Sequence, residues 1–132
     1  MTNRVKKLTP VLAVDAIEPV LSFWVDRLGF TKAAEVPDGD KLGFVILAKD
    51  GVEVMYQTWA SIGKDLPALT GERRGPTFLF FEVASIQDVV KRMEGVAPLT
   101  PLRKTFYGAT ELIVREPGGH IVAFAEFAQQ QD

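Results

Sequence analysis

The side chains best suited to chemistry in this chain are carboxylates and aromatic rings in strand-like segments. Glu53, Glu82 and Glu111 stand among apolar residues with β-like alternation, so together they would make a surface anionic. Such a surface attracts a cationic ligand, and aromatic rings stack on a planar one. The rings available for stacking belong to Tyr56, Trp59, Phe78, Phe80 and Tyr107.

A structural interpretation of the same residues stays open. The carboxylates are then solvated or paired with Arg103, Lys104 or Arg115, and the rings pack against one another. The sequence contains no Ser-His-Asp set and no Gly-rich phosphate loop. Burial in an apolar pocket raises the pKa of a carboxylate, however, so acid–base chemistry by Glu53 or Glu111 is an alternative.

His120 is the only imidazole in the chain, and it follows the Gly118-Gly119 turn. An isolated histidine without partners has no metal site to complete. We therefore predict a turn residue whose side chain points away from the ligand face. The absence of cysteine excludes a disulfide framework, a thiol nucleophile and a thiolate metal site.

Composition limits the class of protein. With 132 residues, 47% hydrophobic and 24% charged, the chain fits one compact domain, residues 1–132. A net charge of −2 gives no basic footprint for nucleic acid, so we expect the Arg73-Arg74 pair to be a solvated loop. No apolar run has the length of a membrane span or a signal peptide, and a cytoplasmic protein is expected.

The first half reads as a strand, a helix and three strands. Residues 7–14 alternate like a strand, and Pro10 favours an edge position. Asp15 with Glu18 has capping-box spacing and predicts a helix that ends at Gly29. Three strands then follow over residues 31–35, 41–48 and 52–58. We interpret residues 59–76, rich in Gly and Pro, as a linker that includes a short helical stretch at 61–69 and acts as a lid.

The second half repeats this plan. A strand over 77–83 leads to a helix capped by Ser85 and ended by Gly95. A strand at 99–104 and a hairpin of 109–115 with 120–127 complete it, the turn being Glu116-Pro117-Gly118-Gly119. The chain is thus predicted to duplicate one βαβββ module, with module one at 7–58 and module two at 77–127.

Four local signatures accompany this order of elements: residues 12–15, 23–30 and 81–83, and Tyr107-Gly108 followed by residues 114–120. With them the chain resembles the vicinal oxygen chelate superfamily, which includes glyoxalase I, extradiol dioxygenases and bleomycin-resistance proteins. The resemblance implies an α+β fold in which two tandem βαβββ modules form a curled, cup-shaped mixed sheet with helices outside. It also implies that one set of residues lines the cup: Thr9, Val11, Glu53, Met55, Phe78, Phe80, Glu111, Ile113, Ile121 and Ala123.

Most enzymes of that superfamily hold a divalent metal with His and Glu side chains. Carried over one at a time, the four ligand positions fall on Thr9, Glu53, Phe78 and Ala123. Only Glu53 retains a ligand type, and one carboxylate does not hold a catalytic metal. We therefore predict no metal, no cofactor and no catalytic residue.

Two functions follow from the resemblance. The first is a metal-free binding protein like the bleomycin-resistance branch, which sequesters a bulky, planar, often cationic compound between two subunits. The alternative is a lyase, isomerase or dioxygenase with relocated ligands or acid–base chemistry. A homodimer is expected, with no nucleic-acid or membrane partner. The predicted ligand-binding residues are Glu53, Met55, Trp59, Phe78, Phe80, Tyr107, Glu111 and Ile113.

Overall fold

The computed structural model describes residues 3–72 and 75–128. The chain forms two compact units, Met1–Arg73 and Arg74–Asp132. The division falls within the predicted linker, whereas the predicted solvated Arg73-Arg74 pair lies outside the described residues. No helix in the described ranges is long and apolar enough to cross a membrane.

The first unit contains a mixed sheet of four strands in the order β1-β4-β3-β2. Strand β1 lies at an edge and runs parallel to β4, as Pro10 indicated, and the other pairs are antiparallel. Strand β1 is shorter than predicted, although the Pro10 carbonyl already accepts a hydrogen bond from Met55 N–H at 3.0 Å. The strands are β1 Val11–Val14, β2 Thr31–Asp38, β3 Lys41–Lys49 and β4 Val52–Thr58.

The helix of the first unit begins later than the capping-box pattern predicted. Helix α1, Glu18–Leu21, has Ile17 at its N-cap, and no side chain among the described residues caps it. The Glu18 carboxylate instead accepts a hydrogen bond from Leu42 N–H at 2.8 Å, which holds the pKa of Glu18 below its usual value. The helix continues as a π-helical segment, Ser22–Arg27.

Trp24 is the centre of the first core, as its helical spacing predicted. It is fully buried, and its indole N–H donates to the Tyr56 hydroxyl at 2.9 Å. Tyr56 is also fully buried, so its ring packs in the core, which is the structural interpretation left open for it, and it is not available to stack on a ligand. Gly29 has a φ of 77°, which ends the helix and lets Phe30 pack on Trp24 with ring centroids 5.0 Å apart.

The segment interpreted as a linker is partly helical and belongs to the first unit. Helix α2, Trp59–Asp65, begins two residues earlier than the predicted helical stretch because the Thr58 hydroxyl accepts from Ser61 N–H at 3.1 Å. A 3₁₀ turn at Pro67–Leu69 follows. Residues 59–69 are therefore an extension of the first module rather than an irregular connection.

The second unit repeats the sheet in the order β5-β8-β7-β6, with β5 parallel to β8. The hairpin of β7 and β8 is paired along its whole length, from Ala109↔Phe127 to Arg115↔Ile121. Strand β6 is shorter than the predicted strand at 99–104, and Pro98 before it makes an isolated bridge to Val114. The strands are β5 Phe78–Glu82, β6 Arg103–Lys104, β7 Ala109–Arg115 and β8 Ile121–Phe127.

Helix α3, Ile86–Arg92, confirms the predicted cap, since the Ser85 hydroxyl accepts from Asp88 N–H at 3.2 Å. It buries Ile86 and Val89. Apolar residues opposite each other in the sheet, such as Phe81 and Phe124 with rings 5.9 Å apart, make up the rest of this side. Two mixed sheets with helices confirm the predicted α+β fold class.

His120 has a structural role in the turn between β7 and β8. Its ring Nδ1 accepts a hydrogen bond from the backbone N–H of Thr77 at 2.8 Å. The backbone N–H of His120 donates to the Glu116 carboxylate at 2.7 Å. Both His120 and Glu116 are buried. The imidazole therefore fixes the chain immediately before β5, in line with the sequence interpretation.

Candidate functional site

One side of the second sheet carries exposed aromatic rings. Phe78 and Phe80 alternate along the edge strand β5 and are 60% and 51% exposed. They lie opposite Ile121 and Ala123 of β8, so all four side chains share the sheet side away from the Phe81–Phe124 stack. We call the exposed rings of Phe78, Phe80, Tyr107 and Phe127 the aromatic face.

The rings of the aromatic face form a chain of contacts. The Phe127 ring centroid is 6.4 Å from that of Phe80 and 6.0 Å from that of Tyr107. Phe106, which is fully exposed, adds an edge-on contact of 5.1 Å with Tyr107. These distances are typical of favourable aromatic pairs, and the same rings remain open to solvent.

Glu111 is an acid in contact with one of these rings, that of Tyr107, and it is buried at 2% exposure. Its two carboxylate oxygens are both engaged: Oε2 accepts from the Tyr107 hydroxyl, and Oε1 accepts from Arg103 Nε at 3.3 Å. The hydrogen bond to Glu111 raises the pKa of Tyr107 above its ordinary value. The predicted alternative in which a carboxylate pairs with Arg103 describes Glu111 correctly.

Buried apolar residues lie beside the aromatic face on the same side of the sheet. Ile113, Ile121 and Ala123 form a buried cluster, with Ile113 opposite Ala123 across the hairpin. Ile113 and Ile121 are each 8% exposed, so they give little surface to a ligand. The methyl group of Ala123 lies in this cluster, where a carboxylate would be costly without partners.

Glu53 occupies a different setting in the first unit. Lys7 Nζ lies 2.9 Å from its carboxylate, and the Thr9 hydroxyl donates to the same oxygen at 3.2 Å. The hydrogen bond from Lys7 lowers the pKa of Glu53. Met55 is half-buried and lies opposite Val11, which is exposed. The first sheet thus presents a compensated acid and aliphatic side chains.

The residues at the superfamily's metal positions do not fit a divalent metal. Within residues 3–72 and 75–128, no three His, Cys, Asp or Glu side chains are grouped closely enough to hold an ion. The Thr9 hydroxyl already donates a hydrogen bond to the Glu53 carboxylate, and the Lys7 ammonium forms an ion pair with the same group. Phe78 and Ala123 have no donor atoms in their side chains.

Trp59 lines a separate cavity of about 330 Å³ in the first unit. The cavity lies between helix α2 and the turn that follows it. Thr70, one of its lining residues, donates its hydroxyl hydrogen to the Gly63 carbonyl at an O···O distance of 3.4 Å. Its lining residues are Trp59, Ala60, Gly63, Lys64, Thr70 and Gly71.

The structure therefore divides the predicted ligand-binding residues into two sets. Phe78, Phe80, Tyr107, Glu111 and Ile113 come together in the second sheet, whereas Glu53, Met55 and Trp59 belong to the first unit. Sequence reasoning missed Phe127 as part of the aromatic face. Its position on the alternation of β8 was the signal that pointed to it.

The fold defines an α+β protein built from two βαβββ modules. A family model for the Glyoxalase/Bleomycin resistance protein/Dioxygenase superfamily matches residues 6–124, and the chain belongs to this superfamily. Among curated proteins, none is a significant match to the chain.

Solved structures with the same fold span most of the chain. A glyoxalase/bleomycin resistance protein/dioxygenase from Nocardioides has 19% identity and a TM-score of 0.72, covering 100% of this chain and 89% of its own. TioX from Micromonospora sp. ML1 has 19% identity and a TM-score of 0.69, with 94% and 100% covered. Lactoylglutathione lyase from Agrobacterium tumefaciens has 14% identity and a TM-score of 0.73, with 94% and 95% covered. At these identities the likeness concerns the fold alone.

Proposed function

We propose that this protein binds a bulky planar compound on the aromatic face without the help of a metal ion. The observation that carries the proposal is the exposure of Phe78 and Phe80 beside Tyr107 and Phe127 on one side of a sheet. Large exposed apolar groups in one patch mark binding surfaces more often than ordinary protein surface. Stacking on a planar ligand would bury these rings.

The metal-free part of the proposal rests on the donor set. Of the four positions that hold a metal in enzymes of the superfamily, Thr9 offers a hydroxyl, and Phe78 and Ala123 offer no donor. Glu53 is engaged with Lys7. A catalytic metal needs three protein ligands in the usual case. Sequestration of a ligand requires none.

Binding is tested by calorimetric titration with polycyclic aromatic compounds. Phe80→Leu and Phe78→Leu remove a ring while keeping an apolar side chain, and each should weaken binding several-fold, since an aromatic pair contributes about 0.5–1.5 kcal/mol beyond area burial. Phe81→Leu is the matched control, because Phe81 lies on the same strand and stacks on Phe124 on the other side of the sheet. Equal weakening by all three variants would contradict a site on the aromatic face.

The competing function is an enzyme of the same superfamily, with relocated metal ligands or with Glu53 or Glu111 as an acid–base group. Metal analysis of protein purified without chelators separates the two. We expect far less than one metal per chain. Near-stoichiometric Zn, Ni, Mn or Fe would overturn the metal-free proposal and favour an enzyme.

We further propose that the chain forms a homodimer whose ligand cleft lies between subunits. Strands β1 and β5 are edge strands of their sheets, and edge strands offer unpaired backbone groups to a partner. Light scattering coupled to size-exclusion chromatography should give twice the monomer mass. A monomeric mass at micromolar concentration would contradict the dimer.

A further inference from the structure

The charge of the planar ligand can be argued from Glu111 and its partners. A cationic ligand would need a free carboxylate near the rings. Glu111 is not free, since it is 2% exposed and holds Tyr107 with one oxygen and Arg103 with the other. A ligand cation would have to break one of these bonds and displace Tyr107 or Arg103 from a buried carboxylate, which is costly.

Arg103 offers the opposite charge at the same place. It lies opposite Glu111 in the sheet, and its side chain is 52% exposed. Glu111 engages only its Nε, and among the described residues no further hydrogen bond or ion pair to its terminal nitrogens is found. The guanidinium is therefore anchored at one side and presents the other to solvent, next to Tyr107.

We propose, on the basis of the function proposed above, that Arg103 is a specificity-determining residue and that the planar ligand carries a carboxylate or similar oxyanion. An anchored guanidinium loses little freedom when it binds a carboxylate with two parallel hydrogen bonds. The rings of Tyr107 and Phe127 then receive the planar part of the compound. Tyr107 and Glu111 act as positioning residues for Arg103.

Two other charges on the same sheet side provide internal comparisons. Glu82 is exposed and lies opposite Ala125, whose other neighbour is Glu111, so it is the acid that a cationic ligand would use. Arg115 is exposed and lies opposite Ile121, near Phe78, with one terminal nitrogen donating to the Gly119 carbonyl at 2.8 Å. It has the same charge as Arg103 but lies away from Tyr107.

The experiment titrates the full chain with three probes of one shape: 2-naphthoate, uncharged 2-naphthamide and 2-naphthylmethylammonium. We expect the affinity to fall in that order. Arg103→Gln should weaken the binding of 2-naphthoate by about tenfold, the loss typical of a charge-assisted hydrogen bond. It should leave the affinity for 2-naphthamide unchanged. Arg115→Gln changes the net charge equally and should have less than a twofold effect. Glu82→Gln should not weaken any probe.

The outcomes separate the two proposals. Binding of the ammonium probe in preference to the acid, and its loss in Glu82→Gln, would overturn the oxyanion inference while leaving the aromatic face as a binding site. If Arg103→Gln and Arg115→Gln weaken the binding of 2-naphthoate equally, the loss reflects nonspecific electrostatics. That result would also overturn the oxyanion inference. If no probe binds the wild-type chain, the aromatic face itself fails as the site.

Discussion

The two sheets of this chain have the same strand order but differ on the side away from their helices. On that side each sheet has a carboxylate that pairs with a basic side chain. Glu53 of the first sheet pairs with Lys7, whose side chain is 62% exposed, from the segment before β1. Glu111 of the second sheet is buried and accepts hydrogen bonds from Tyr107, in the turn before β7, and from Arg103 of β6.

The difference shows which side of each sheet is fixed by the core. The helix-facing sides remain apolar in both units, with Trp24 and Phe124 fully buried. The opposite sides differ. The first sheet has aliphatic side chains and an acid paired with Lys7, whereas the second sheet has exposed aromatic rings. Fold stability therefore constrains one side of each sheet, and the other side is available for ligand recognition.

The largest expected effect tests the two sides against each other. Trp24→Ala should cost about 3–5 kcal/mol of unfolding free energy, because it empties the first core and removes the donor to Tyr56. Phe80→Ala should cost less than about 1 kcal/mol, since half of its ring is already in water. Urea denaturation measures both. A cost for Phe80→Ala that equals that of Trp24→Ala would mean that the aromatic face is core.

The next effect compares the two carboxylates. Glu111→Ala should destabilise by about 1–3 kcal/mol, because it leaves Tyr107 and Arg103 without their buried acceptor. Glu53→Ala should change stability less, and its effect should shrink further in added salt because the Lys7 pair is exposed. Glu111→Gln is the control that keeps an acceptor oxygen. A larger loss from Glu53→Ala would reverse the comparison.

A smaller effect tests the different helix starts. Ser85→Ala should cost about 1 kcal/mol, because it removes the side-chain acceptor at the start of α3. Gln87→Ala, an exposed change two residues after the cap in the same turn, should stay within about 0.5 kcal/mol. Thermal unfolding of both variants is sufficient. Equal melting temperatures for the two would show that the Ser85 hydroxyl contributes nothing.

The smallest effects concern pH, and they have opposite signs in the two units. The folded pKa of Tyr107 is raised, so its contribution to stability is complete below the unfolded value of about 10 and is lost as pH rises through the folded pKa. The folded pKa of Glu53 is lowered, so its contribution is present above about 4.3 and is lost as pH falls through the folded pKa.

Near-ultraviolet titration of phenolate absorbance detects the first shift. Tyr107→Phe identifies its signal against Tyr56, the only other tyrosine. Glu111→Gln should move the Tyr107 pKa back toward its ordinary value, since the hydrogen bond to the Glu111 carboxylate is the main cause of the rise. An unchanged titration in that variant would contradict this cause.

Much of the fold was predictable because turn and cap signals are local. The hairpin of β7 and β8, the Ser85 cap and the stop at Gly29 all follow from neighbouring residues. The π-helical segment Ser22–Arg27 was not predictable, because its sequence keeps the apolar spacing of an ordinary helix. Helix α2 was expected only as a short helical stretch inside a linker, because its Gly63 and the following Pro67 suggested a loop.

The residue types of the candidate site were predictable, but the pairing of its charged side chains was not. Alternation along β5 identified Phe78 and Phe80 as neighbours on one side of the sheet. Alternation does not say which charged side chain meets which carboxylate. The pairing of Glu111 with Arg103 depends on the register of β6 against β7, and that register has only two paired positions. The charge of Glu111 is therefore paired with Arg103, and this carboxylate does not make the surface anionic.

The position of the exposed phenylalanines has a consequence for folding and storage of this protein. Strand β5 has the sequence Phe-Leu-Phe-Phe-Glu and lies at a sheet edge, which is the composition and location that promote strand-to-strand aggregation. Glu82 ends this run with a charge, as gatekeeper residues do. We therefore expect Glu82 to limit aggregation through this edge, and occupancy of the aromatic face to limit it further.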